Sequence, residues 1–130
     1  MIINLKDFPP DNADEPKCSR ELDEATRKEL HAFIRGAIYG WCKNCKDAGN
    51  VAFFAAVDIF GGENRDWTST PLVALTKYYS ESPNPQKASG QQLGHLLKYI
   101  LHHCESREYT MRDGERKGMH AKEYCWLADE

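Results

Sequence analysis

The side chains best suited to chemistry in this chain of 130 residues are five cysteines and five histidines. Cys42 and Cys45 are two residues apart, a spacing at which two thiols can cycle between dithiol and disulfide or supply half of a tetrahedral zinc site. Zinc would need two more ligands from Cys18, Cys104, Cys125, His102, His103 and His120, yet no second C-x2-C or H-x3-H half-site accompanies the first. His95 and His102 are seven positions apart, about 10.5 Å along a helix and too far for one ion to bridge, while the neighbouring His102 and His103 diverge. Five cysteines leave one over in any full pairing, and the start of the chain (Met1 to Asp7) has no basic segment followed by an apolar core. A disulfide framework is therefore not expected. No G-x-S-x-G elbow, G-x4-G-K-[ST] loop, G-x-G-x-x-G turn or H-E-x-x-H string occurs. The carboxylates read as solvated helix-face residues or members of an acidic N-terminal stretch, with no pair on apolar ground. An enzyme is the least supported class, and no cofactor or metal is implied.

The elements that would position these residues follow from periodicity. Leu30, Phe33, Ile34, Ala37, Ile38, Trp41, Cys42 and Cys45 recur at i, i+3, i+4, i+7, which predicts a long helix with Ser19 as N-cap, acidic first-turn residues Glu21, Asp23 and Glu24, and Gly49 as its stop. Trp41, Cys42, Lys43, Asn44, Cys45 and Lys46 resemble the W-C-x-x-C-K active site of thioredoxin-like proteins. In that family the first cysteine opens a helix after a buried strand. Here Cys42 falls near a helix C-terminus, where the dipole raises a thiol pKa, and both cysteines lie on the apolar stripe as small hydrophobes. Packing is the leading reading of the pair, with thiol or zinc chemistry as the weaker alternative.

Asn50 is expected to cap a buried helix from Val51 to Phe60 that ends at Gly61 and Gly62, and Thr70 with Pro71 to open another carrying Leu72, Leu75 and Tyr79. After the break at Ser82, Pro83, Asn84 and Pro85, a further helix carries the stripe Leu93, Leu96, Leu97, Ile100, Leu101 and Cys104. Ser89 and Gln92 fit a capping box at its start, with Asn84 and Pro85 as an earlier alternative. Beyond Cys104 the period changes to two, with Tyr109 and Met111, a turn containing Asp113, Gly114 and Gly118, then Tyr124 and Trp126 alternating with Glu123 and Cys125.

Three to four helices followed by a C-terminal β-hairpin, a mostly helical α+β arrangement, resemble a winged helix-turn-helix domain over roughly residues 50 to 127. The helix from Ser89 to His103, followed by Arg112, Asp113, Gly114, Arg116, Lys117 and a closing Tyr124, Cys125 and Trp126, looks like the recognition helix and wing of phage and plasmid replication proteins. The resemblance implies double-stranded DNA as partner, read by Ser89, Gln91, Gln92, His95 and Lys98 in the major groove, with Arg107, Arg112, Arg116, Lys117 and Lys122 on phosphates. Local charge agrees in part: residues 85 to 122 carry seven basic against four acidic residues, whereas residues 1 to 30 carry five basic against eight acidic. Asp113 and Glu115 nonetheless fall in the wing tip itself, where phosphate contact favours uncompensated cations.

The chain as a whole bounds these readings. With 17 Lys+Arg, 20 Asp+Glu and 41% hydrophobic residues, one small folded domain of 19–130 is expected, preceded by an acidic, proline-containing flexible arm over 1–18 in which Ile2, Ile3 and Leu5 add a short strand. No apolar run approaches a membrane span, so the expected setting is cytoplasmic and without a membrane partner. The net charge of −3 argues against a general nucleic-acid coat while permitting a local basic surface. The alternative to DNA binding is a protein-interaction module or homodimer on the same scaffold, with Tyr78 and Tyr99 as candidate anchors.

Overall fold

A computed structural model of the chain describes residues 3–5, 15–47, 53–61, 66–103, 109–113 and 122–126. Among them the chain runs through β1 (Ile3–Asn4), α1 (Lys17–Arg20), α2 (Glu24–Asp47), α3 (Ala56–Phe60), α4 (Val73–Tyr78), α5 (Pro85–His102), β2 (Tyr109–Asp113) and β3 (Lys122–Trp126). The architecture is mostly helical α+β, and no described helix is long and apolar enough to cross a membrane.

The long helix predicted over the Leu30–Cys45 stripe is α2, but its cap is not Ser19. Asp23 accepts the Thr26 backbone N–H at 3.0 Å and the Thr26 hydroxyl at 2.6 Å, meeting the need of the first helical donors. Ser19 lies instead inside the short turn α1, fully buried. The helix expected over Val51–Phe60 contracts to α3, because the Phe54 N–H and C=O exchange hydrogen bonds of 2.8 and 2.7 Å with Tyr124 in β3. A backbone committed to that bridge cannot also serve a helix. Asp58 then closes the first turn of α3 by accepting the Ala55 N–H at 2.8 Å, and Gly61 ends the helix at φ 88°, where a Cβ would be strained.

Thr70 is not the cap expected of it: α4 begins at Val73 with Leu72 as its N-cap, and the Thr70 hydroxyl accepts the Leu72 N–H at 3.2 Å and donates to the Trp67 carbonyl at 2.7 Å in the turn before the helix. For α5 the earlier start holds. Asn84 Oδ1 accepts the Lys87 N–H at 3.1 Å with Pro85 at the first helical position, so Ser89 falls within the helix rather than at its cap.

β2 and β3 pair antiparallel with Tyr109 opposite Trp126, Met111 opposite Tyr124 and Asp113 opposite Lys122. Asp113, expected in the turn, is instead the last residue of β2, and the rest of the expected turn, Gly114 to Gly118, lies outside the described residues. Ile3 and Asn4 pair antiparallel with Met111 and Thr110, so the short N-terminal strand is present and the order is β1-β2-β3. The core sits where three helices meet this sheet. Leu30, Ile34 and Ile38 from α2, Leu75 from α4, Leu93, Leu96, Leu97 and Ile100 from α5, and Phe54, Tyr109, Met111 and Tyr124 form one buried cluster, the spacing of the helical members being that of single apolar stripes.

Candidate nucleic-acid interface

With its inner stripe in the core, α5 turns a narrow polar face outward. Gln91 and His95 are exposed, as are Gln86 and Lys87 in the first turn, while Gln92 and Lys98 are half-buried. Lys87, Gln91, His95 and Lys98 are spaced by four, four and three residues, so they form one row. No acidic residue occurs anywhere in α5, although one residue in about six of the chain is Asp or Glu. Gly94 lies beside this row, and a Cβ built on it meets nothing within 4 Å. Tyr99 packs its ring against those of His103 and His31.

Five predicted residues thus lie on α5, and four of them share its outward side. Ser89 departs from the expectation: it is fully buried, and its hydroxyl donates back to the Pro85 and Gln86 carbonyls at 2.7 and 3.2 Å. A serine so placed inside a helix turns its oxygen onto the preceding turn and presents nothing to a groove. Lys122 is exposed at the start of β3. Arg112 is in β2, with its side chain outside the described residues, as are Arg107, Arg116 and Lys117 altogether.

The cysteines that are described occupy packing positions. Cys18, Cys42 and Cys125 are buried, and burial raises the Cys18 thiol above its ordinary value despite a hydrogen bond with Tyr79, the opposite of what a nucleophile requires. Cys42 sits late in α2; the Cys45 side chain and Cys104 are outside the described residues. Among the described residues no three His, Cys, Asp or Glu side chains converge as a metal site would need.

One polar cluster has no signal in the periodicity. Glu15, Ser19 and His31 are all buried, and Arg27 reaches over them from α2. The Arg27 guanidinium donates to both Glu15 carboxylate oxygens at 2.7 and 2.8 Å, a bidentate pair, and the Ser19 hydroxyl donates to Glu15 Oε2 at 2.7 Å. His31 Nε2 is 2.7 Å from the same hydroxyl. Since the single Ser19 proton goes to Glu15, Nε2 must carry a proton and donate to Ser19 Oγ. Burial pushes the Glu15 carboxyl up, but the hydrogen bonds from Arg27 and Ser19 and the Arg27 charge outweigh it, so the group sits below its usual range. Burial, with the Arg27 charge behind it, holds His31 below its ordinary value against the pull of Glu15.

Serine, histidine and glutamate side by side suggest nucleophilic catalysis, but the proton order is reversed. A general base must accept the serine proton; here the histidine donates and the serine is sealed from solvent. The cluster instead ties α1 to α2. An open groove of about 550 Å³ runs nearby between the start of α2 and α4. It is lined by Leu22, Thr26, Glu29, Pro71, Lys77 and Tyr78 among others. Tyr78 donates its hydroxyl to the Glu21 carboxylate.

No protein-family model, no curated protein and no solved structure matches this chain.

Proposed function

We propose that the chain is a small DNA-binding protein of winged helix-turn-helix type, in which α4 and α5 are the helix-turn-helix, α5 enters the major groove and the β2–β3 hairpin is the wing. The observation that carries this reading is the acid-free outward face of α5, with Lys87, Gln91, His95 and Lys98 in one row. Duplex DNA repels carboxylates and rewards cations along its backbone, while a glutamine can pair with both N6 and N7 of adenine and a lysine with the acceptor edge of guanine. The open flank at Gly94 lets backbone approach a groove wall without a side chain between.

The order of elements agrees with the same reading. A helix (α2), a strand-like bridge (Phe54), helices α3 to α5 and a hairpin follow one another, and the bridge closes on the second hairpin strand at Tyr124. The bridge ties the second hairpin strand to the segment that leads into α3, which anchors the proposed wing on the helices. With Ser89 turned inward, the reading set proposed on α5 is Lys87, Gln91, Gln92, His95 and Lys98, and Lys122 with Arg107, Arg112, Arg116 and Lys117 remain the proposed phosphate contacts.

The test is fluorescence anisotropy of a 30-base-pair mixed-sequence duplex between about 50 and 200 mM salt. Binding is expected to weaken steeply across that range. In the Lys87→Glu, Lys98→Glu double variant, affinity at the low-salt end should fall at least tenfold and the log–log salt slope should shrink by roughly two if each lysine contacts one phosphate. Absence of binding up to about 100 µM protein, or unchanged binding by the folded double variant, would overturn the reading.

A further inference from the structure

The buried stripe of α2 leaves its opposite side to solvent, and that side has a symmetry of its own about Gly36. Glu29, Ala32, Phe33, Gly36, Tyr39 and Lys43 are exposed and Gly40 is partly so. At 100° per residue these seven fall within one arc facing away from Leu30, Ile34 and Ile38. Phe33 and Tyr39, at 37% and 50%, are two of the three large hydrophobic residues most exposed among those described, whereas a Cβ at Gly36 or Gly40 meets nothing within 4 Å.

The spacing is mirrored. Phe33 and Tyr39 stand three residues before and after Gly36, Ala32 and Gly40 four, and Glu29 and Lys43 seven. We propose that this face binds a second copy of the chain, with the two α2 helices antiparallel and the two-fold axis at Gly36. Residues at equal offsets before and after Gly36 then come level across the interface, and the complementarity follows from sequence order alone. Phe33, about 4.5 Å along the axis from Gly36, lies against Gly40 of the second copy at about 6 Å, on the same side of the contact. Tyr39 lies against Ala32 of the second copy in the same way, so each large ring meets a residue too small to obstruct it. Gly36 meets Gly36, which allows the helix axes to approach to about 8 Å, the near end of the normal range. Glu29 and Lys43 of the second copy come level at about 10.5 Å on each side, giving two opposite-charge pairs. In a parallel arrangement Glu29 would face Glu29, and the charges select the antiparallel one.

One helix face covers less than the roughly 800 Å² per partner of a standard interface, so the dimer is weak and concentration-dependent. It is independent of DNA binding and can be tested without it. Sedimentation velocity of the full chain from about 5 to 500 µM should show exchange between one and two chains, with half-association inside that range. Gly36→Glu places a carboxylate on the two-fold axis, where it meets its own copy, and should weaken the dimer at least tenfold. The open space at Gly36 means that the fold tolerates it, which circular dichroism would verify.

The decisive comparison is charge reversal. Glu29→Lys alone and Lys43→Glu alone should each weaken association several-fold, and the two together in one chain should restore it. Within a chain these positions are 14 residues apart, about 21 Å along one helix, so restoration can arise only between chains. A monomer at every concentration, a dimer indifferent to Gly36→Glu, or additive losses on combining the two reversals would each overturn the proposal. If association proves to involve another surface, the last two outcomes reveal it.

Discussion

Removing Arg27 from the buried cluster tests whether α1 is held to α2 by charge. The Glu15 side chain is 7% exposed and the Arg27 side chain 34%, so Arg27→Ala leaves a nearly buried carboxylate with Ser19 as its remaining close donor. Two charge-assisted hydrogen bonds disappear. Each contributes about 1.5–3 kcal/mol in favourable cases, but solvent at the partly exposed guanidinium reduces the loss, and about 2–3 kcal/mol in all is expected at pH 7. For a domain of this size that lowers Tm by roughly 6–10 °C. The pH dependence identifies the cause. In the native protein the Glu15 pKa is depressed, so its stabilisation is full above the unfolded value near 4.3 and is lost as pH falls through the folded value. In the variant burial dominates, the carboxyl takes up a proton readily, and the penalty should shrink by about half toward pH 4. Urea unfolding followed by tryptophan fluorescence at pH 7 and pH 4 measures both quantities. A loss below about 0.5 kcal/mol, or one that is the same at both pH values, would refute the reasoning.

Further expectations concern the cluster, the bridge and the cap. Because burial lowers His31 from its ordinary value, its neutral form contributes stability above about pH 6.5 that is lost as pH falls through the folded value. His31→Gln should therefore show a smaller decline in urea midpoint between pH 7 and pH 5 than the native chain. Phe54→Ala removes a fully buried ring that joins the helical core to β3, and should cost about 3–5 kcal/mol in chemical unfolding. Asn84→Ala removes the side chain that accepts the Lys87 N–H and should cost about 1 kcal/mol, with faster amide exchange confined to the first turn of α5.

The helices differed in how readily they could be recognised. In α2 and α5 the apolar residues repeat over about four and about three turns, and every described member of those stripes except Phe33 is at least partly buried, because a single-sided stripe has one way to leave water. The α5 start was legible twice over, in Ser89 with Gln92 and in Asn84 with Pro85. Proline at the first helical position and the Asn84 cap prevailed, and they converted Ser89 from a candidate reader of DNA into an inward-turned residue. The reversal between Ser19 and Asp23 has the same origin, since a cap is defined by which side chain reaches an orphan N–H, and several candidates often precede one helix. The polar face of α5 could be placed as soon as its stripe was known, so Gln91, His95 and Lys98 were accessible to sequence reasoning where Ser89 was not.

What the sequence determined by itself was local: the long helical periods, the breaks at proline and glycine, the switch to period two before the hairpin and the absence of acid from α5. These are properties of neighbours along the chain, fixed by backbone sterics and side-chain spacing. Tertiary structure decided the rest. Phe54 left a helical pattern because Tyr124 offered both backbone groups a partner, and the short strand expected near Ile3 found its partner in β2, which no local pattern named. Glu15, Ser19, Arg27 and His31 formed one cluster because burial makes an unpaired polar group costly wherever its partner lies in the sequence. Pairings between distant segments leave no period to read, and their energy appears only when the chain has closed on itself.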